Sequence, residues 1–348
     1  MTIEVGFGLI TCQRYPGDSR TDAELYAEAL DLAALAEDLG FDSVWVSEHH
    51  FVDDAYMPSL LPVCAAIAAR TSAIRIGTAL LLAPLYEPLR LAEDAATVDL
   101  ISGGRLTLGL GLGWREEEFE VLGVPRSERG VRLQDTVAIL REAWSGALVT
   151  GGDTLSYPGV RVRPDPLSPG GPPIWIGALR EPAVRRAGAV GDGFMSSSPT
   201  PESFGREVAW AREGLEKAGR AEAGFMFSLH VPTVAWEGRA EDAWPTFEPH
   251  VRYVDWKYDD MDDARARTGP PREPPPPTPE ESSRLRAETV AGTPDEVADR
   301  IHAFAKIAGG DLHYIARMYW PGMSPERQRE TMRLFAETVV PVLQGSGM

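Results

Sequence analysis

Residues 5–17 read VGFGLITCQRYPG, an apolar strand over Val5 to Ile10 that runs out into a polar turn. An open, doubly wound sheet would announce a dinucleotide site here with G-x-G-x-x-G after the first strand. That spacing is missing, so the later elements decide the fold. Leu25, Ala29, Leu32, Ala36 and Leu39 recur at helical spacing, with Gly40 placed to end the helix. Phe41 to Ser47 then give a second strand, and Leu60 to Ala69 a second helix. Ile74 to Leu82 form a third strand, whose helix carries Leu91, Ala95 and Val98 on one face. LTLGLGLG, from Leu106, is the fourth strand, followed by a helix over Val131 to Trp144. Strands five to eight fall at Pro172 to Leu179, Gly193 to Ser196, Phe225 to Val231 and Leu312 to Met318. Parallel strands need such crossovers, and eight repeats closed on themselves make a (β/α)8 TIM barrel of the α/β class.

Two segments depart from the repeat. Ala147 to Val162 read as a small hairpin excursion. Regularity also lapses over about 235–291, an insertion between strand seven and the helix after it. It is partly helical over Ala240 to Tyr258, and its REPPPPTPEE run (Arg272 to Glu281) cannot enter a helix or a central strand. Trp244, Phe247, Tyr253 and Trp256 there either line an apolar cavity or pack a helical insert. Thr293-Pro294-Asp295-Glu296 restores order as a capping box with proline in the first turn.

A net charge of −18 argues against nucleic acid and against an anionic membrane surface. The two cysteines, Cys12 and Cys64, can build neither a disulfide framework nor a thiolate metal cage. The MTIEVGFGLI start lacks the basic region of a signal peptide, and no apolar run spans a bilayer, so a cytoplasmic protein is expected.

Barrels place their chemistry at the C-terminal ends of strands, which directs attention to three places. GLGLGW (Gly109 to Trp114) lacks the third glycine of a dinucleotide fingerprint; its bare backbone suits close packing against neighbouring backbone or a flat ligand. In IWIGALREPAV a strand ends at Gly177 and a helix begins near Glu181. Free N–H groups there suit a phosphate, with Arg180 adding charge; alternatively Arg180 is a solvated residue paired with Glu181. The third place is GFDSVWVSEHHF (Gly40 to Phe51), where two adjacent histidines end a buried strand. Alternation would send His49 and His50 to opposite sides, and with no H-E-x-x-H or cysteine cluster no metal site is expected. One histidine suits proton transfer at the barrel mouth and the other a structural role, with Glu48 orienting a ring or satisfying an amide.

Four segments together resemble the bacterial luciferase-like flavin monooxygenase family: GFDSVWVSEHHF, the block from IRIGTALLL through GLGLGW to EEEFEVLGVP, PPIWIGALREPAVRRAGAVGDGF, and AGTPDEVADRI. They follow the family's order across nearly the whole chain outside the insertion. The resemblance implies a single barrel domain over 1–348, usually a homodimer, that binds reduced FMN as a diffusible cosubstrate. Its reaction with molecular oxygen gives a flavin hydroperoxide that oxygenates a small organic substrate, an oxidoreductase chemistry on paired donors. A separate flavin reductase would supply the electrons. The resemblance also implies that His49 is catalytic, that a non-prolyl cis peptide at Ala79-Leu80 supports the flavin ring, and that Gly177, Ala178, Leu179 and Arg180 hold the phosphate. Luciferases carry a phosphate-binding arginine and a reactive cysteine where this chain has Leu112 and Gly111. Phosphate binding then leans on Arg180, on backbone, or on another basic residue, and light emission is not expected. Two other readings stay open: a deazaflavin-dependent hydride-transfer enzyme on the same barrel, and a non-catalytic flavin-binding partner subunit.

Overall fold

A computed structural model describes residues 2–263 and 269–345. Eight parallel strands close into a barrel in the order β1 (Ile3–Ile10), β2 (Ser43–Val46), β3 (Arg75–Thr78), β5 (Leu106–Gly111), β8 (Ile174–Gly177), β9 (Gly193–Ser196), β10 (Met226–Ala235) and β12 (Leu312–Arg317). The ring shuts where β1 pairs with β12, from Ile3 opposite Leu312 to Gly8 opposite Arg317. Two short strands stand off this path: β4 (Leu81–Leu82), beside β5, and β11 (Val290–Gly292), beside β10. A separate antiparallel hairpin, β6 (Val149–Gly151) and β7 (Ser156–Val160), matches the predicted excursion.

The helices form where the sequence supplies both a buried stripe and a cap. α1 (Asp22–Asp38) begins in a capping box between Thr21 and Glu24 and buries Leu25, Ala29, Leu32 and Ala36 against the barrel. α10 (Pro294–Ala308) does the same with Thr293 and Glu296, burying Val297, Ile301 and Phe304. The remaining helices that cover the strands are α2 (Leu60–Arg70), α3 (Pro88–Ser102), α5 (Arg129–Trp144), α6 (Glu181–Val190), α7 (Pro201–Lys217) and α11 (Pro325–Thr338). A short α4 (Glu116–Val121) follows β5.

Two expectations change. The third strand does not run unbroken from Ile74 to Leu82: it stops at Thr78, a cis Ala79-Leu80 bond intervenes, and Leu81 resumes pairing against Leu110 of β5. The apolar spacing after the eighth strand also predicts one closing helix over Gln328 to Leu343, and the structure has two, α11 and α12 (Val340–Gly345). Pro341 has no N–H to continue the ladder, so the chain restarts after Val339.

Inside the barrel Trp45 and Trp175 stack with ring centroids 5.2 Å apart, and His313 meets both edge-on. Strand glycines make the room: a Cβ on Gly77 would lie 2.2 Å from the Trp45 ring. His313 is bonded to Ser43 and Glu4, so this buried histidine is part of the barrel floor.

Between β10 and α10 lie α8 (Ala240–Asp263) and α9 (Pro279–Glu288). Trp244 and Phe247 settle their alternative as packing, in a cluster with Val234, Trp236 and Trp320. Tyr253 is buried too, its hydroxyl donating to Asp54 Oδ2 at 3.1 Å. Among the described residues no helix is long and apolar enough to cross a membrane.

Candidate active site

A cavity of about 1360 Å³ opens at the C-terminal ends of the strands. Leu9, His49, Ala79, Gly111, Gly177, Met195 and His230 bring seven of the eight barrel strands or their exits to its wall, and Tyr258 of α8 adds a side. The sequence-derived residues His49, Ala79, Leu80, Gly111, Gly177, Ala178, Leu179 and Arg180 all line it.

His49 is held from several directions. β2 ends at Val46, so strand alternation does not extend to the histidines. His49 Nδ1 lies 3.0 Å from Glu118 Oε1, which also accepts the His50 backbone N–H at 3.0 Å. Burial acts to raise the Glu118 carboxyl, but the bond and charge of His49 and the His50 amide outweigh it, leaving the group below its ordinary value. An ionised carboxylate only accepts, so Nδ1 carries the proton and Nε2 is left as the nitrogen able to take one. Tyr56, Trp114 and Tyr258 meet the imidazole edge-on, with centroids 4.9, 5.8 and 5.7 Å away.

Glu48 takes the other of its expected roles. It accepts the Leu82 amide at 2.7 Å and the Tyr86 hydroxyl at 2.8 Å, fixing the chain just past the cis bond. His50 sits 3.8 Å from Glu48, outside hydrogen-bond reach, and its carbonyl accepts from the buried Arg115. Arg115 also donates to the Met261 carbonyl at 2.9 Å, tying α8 to the histidine loop.

The glycine run packs against protein. A Cβ on Gly109 would fall 1.9 Å from the Thr78 carbonyl oxygen, and Cβ atoms on Gly111 and Gly177 would strike Leu80 at 2.9 and 2.1 Å. Leu80 is therefore seated between two strand ends, with its remaining surface turned to the cavity.

The turn after β8 also differs from expectation in detail. Glu181 pairs with Arg185 rather than Arg180. Pro182 has no N–H, and the Ala183 and Val184 amides both donate to the Arg180 carbonyl at 2.9 Å. Pro182 and Ala183 therefore offer an anion no free amide, whereas among the described residues the amides of Ala178, Leu179, Arg180 and Glu181 have no hydrogen-bond acceptor.

Several site residues were not foreseen: Glu118, which holds His49 from behind, and the cavity-lining Arg126, Arg129, Arg186, His230 and Tyr258. Burial and the charge of Arg317 push the His230 imidazole down to about 3, so it is neutral near pH 7. Among the described residues no cluster of His, Cys, Asp or Glu has the makings of a metal site.

Residues 5–311 match the family model described as luciferase-like monooxygenase. The chain is 27% identical, over 98% of its length and 96% of the relative's, to the oxygenase component of a flavin-dependent trigonelline monooxygenase from Acinetobacter baylyi. It is 36% identical to an F420-dependent glucose-6-phosphate dehydrogenase from Nakamurella multipartita, over 56% of this chain and 59% of that one. Among solved structures, a monooxygenase from Streptomyces bottropensis superposes with a TM-score of 0.83 at 24% identity, covering 98% of this chain and 99% of the other. The oxygenating constituent of 3,6-diketocamphane monooxygenase from Pseudomonas putida, in complex with FMN, gives 0.77 at 18% identity with the same coverage. At these identities the superpositions speak to the fold.

Proposed function

The chain belongs to the luciferase-like monooxygenase family, and on that premise we propose that it is the oxygenase half of a two-component monooxygenase. It would take reduced FMN from a separate flavin reductase and use molecular oxygen to oxygenate a small organic substrate, as a cytoplasmic homodimer. The observation that carries this reading is His49, held by the buried Glu118, on the wall of the same cavity as the Gly177 to Arg180 turn.

The residues present fit a flavin. Leu80, Gly111 and Trp114 offer a largely apolar wall for a ring system, and the cationic side chains near Arg180 suit a phosphate. When bound, the reduced flavin supplies the electrons that activate oxygen. The protein's own part is positional and protonic. Glu118 fixes the His49 tautomer, so Nε2 can accept a proton from a group in the cavity and return it. Trp114 and Tyr258, packed edge-on against the imidazole, would restrict water around it.

The second reading, hydride transfer with a deazaflavin, is favoured by the 36% identity to the F420-dependent dehydrogenase. Anaerobic titration with each reduced cofactor, followed by oxygen and a panel of aldehydes, ketones and aromatics, separates the two. Tight binding of reduced FMN and substrate-dependent oxygen uptake are expected; binding of the deazaflavin alone would replace the first reading with the second. His49→Ala is expected to lower turnover by about 10²–10⁴-fold while reduced FMN still binds. Unchanged turnover would remove His49 from the chemistry.

A further inference from the structure

We propose that Arg129 of α5 and Arg186 of α6 form the anion site of this cavity and hold the phosphate monoester of the flavin, the role luciferases give to an arginine after the fourth strand. The assignment rests on the flavin reading above and adds the residues that bear the cofactor's charge.

The first observation is a contrast along two helices. Outward-facing arginines on α5 and α6 are paired: Arg141 with Asp192 at 2.8 Å, and Arg185 with Glu181 and Glu213. Arg129 and Arg186 face the cavity, and among the described residues neither has a hydrogen-bond or ion-pair partner. Arg180, at the α6 N-cap, is likewise unpaired among the described residues. Next to them, Arg126 reaches Glu116 at 2.7 Å through Nη1, while its buried Nε has no partner among those residues.

The second observation is a built seat. A Cβ on residue 130 would lie 3.0 Å from Arg186 Nη2 and 3.5 Å from its Cζ, so Gly130 lets that guanidinium rest against the start of α5. The Arg186 head is thereby brought beside the residue after Arg129. Neither cation is electrostatically comfortable. Burial lowers the Arg186 pKa, and burial together with the charge of Arg126 outweighs the opposing charge of Glu116 to lower that of Arg129.

In a chain with 52 acidic residues against 34 basic ones, unpaired guanidiniums gathered on one wall are not a shortage of carboxylates. Guanidinium forks match phosphate oxygens with two parallel hydrogen bonds each, and a dianion would relieve both the repulsion and the burial. The two guanidiniums would add full charge to a helix start that lacks the Pro182 N–H and has the Ala183 amide engaged.

The test compares wild type with Arg129→Gln, Arg186→Gln and the double variant. Anaerobic binding of reduced FMN and of reduced riboflavin, which lacks the phosphate, is read by absorbance and fluorescence. Each single change is expected to weaken FMN about ten-fold or more and leave riboflavin unmoved. Inorganic phosphate, added without flavin, should raise the thermal midpoint of wild type but not of the double variant. That pattern supports the site even where flavin affinity is low. Equal FMN affinity in all four proteins, or equal loss for FMN and riboflavin, overturns the assignment while leaving the flavin reading intact. A phosphate response without any preference of wild type for FMN over riboflavin overturns it too, because the anion would then belong to another ligand. Wild type that binds neither flavins nor phosphate loses both the reading and the site.

Discussion

Lys257 on α8 and the arginines of α5 and α6 are all cations near one cavity, yet they are handled in opposite ways. Lys257 is 1% exposed and ringed by carboxylates. Its Nζ donates to Asp53 and, at 2.9 Å, to Asp260, and Asp54 lies 3.9 Å away. Gln13 and Tyr253 also donate to Asp54, and Arg272 reaches Asp260. Every charge in that knot is spent on the protein itself, binding α8 to the loop beyond the histidines. Arg129 and Arg186 have nothing of the kind, although α5 and α6 carry well-paired arginines elsewhere. The difference teaches that partners, more than charge, separate an ion that holds the chain together from one held ready for a ligand.

Stability measurements can break that distinction or sharpen it. The largest effect belongs to Lys257→Ala, which strands buried carboxylates and should cost about 3–5 kcal/mol in urea unfolding. An unchanged midpoint would mean that the knot is not a tie. Next comes a paired anion. Glu37 accepts the amides of Ser72, Ala73 and Ile74. Burial opposes ionisation there, but the amides outweigh it and bring the carboxyl down to about 2. A depressed carboxyl stabilises the fold above its unfolded value of about 4.5, and that contribution fades as pH falls toward 2. Glu37→Gln should therefore cost about 1–2 kcal/mol at pH 7, after allowing for solvent screening, and nearly nothing at pH 2. Urea titrations at several pH values would reveal a pH-independent cost if this is wrong. Arg284 pairs with Asp255 at 2.6 Å and Glu288 at 2.7 Å on the surface, so Arg284→Ala should cost under about 1 kcal/mol, read from the same urea midpoints. Smallest of all, Arg186→Gln should leave the ligand-free protein within about 0.5 kcal/mol of wild type, or slightly more stable. A large loss there would mark Arg186 as structural and erase the contrast.

The barrel was legible because apolar runs and amphipathic stretches alternate from Val5 to Val231 and again from Thr293 to Met318, on either side of the insertion. The break after Thr78 was marked by the resemblance, through its cis Ala79-Leu80 bond, but not by the apolar pattern, in which Leu80 reads as one more strand residue. Its seat against Gly111 and Gly177 appears only in the fold. In the site, barrel geometry pointed to the strand exits in advance, and the family resemblance then singled out His49, Ala79, Leu80 and the Gly177 to Arg180 turn among them. Glu118 could not. Glu116, Glu117 and Glu118 are identical letters at the head of α4, and which one turns inward depends on how that short helix docks. Arg129, Arg186 and His230 lie within elements, where the facing direction is set by tertiary packing. Pro182 was visible throughout, and its missing N–H removes one donor from the first turn of α6.

The pairing of β1 with β12 carries a cost in time. During synthesis the first strand emerges roughly three hundred residues before the partner that seals its free side, and β10 also waits for that same partner. Until then two unpaired edges are open to neighbouring chains, which makes a nascent polypeptide of this topology a client for chaperones and its last strand the latch on the whole assembly.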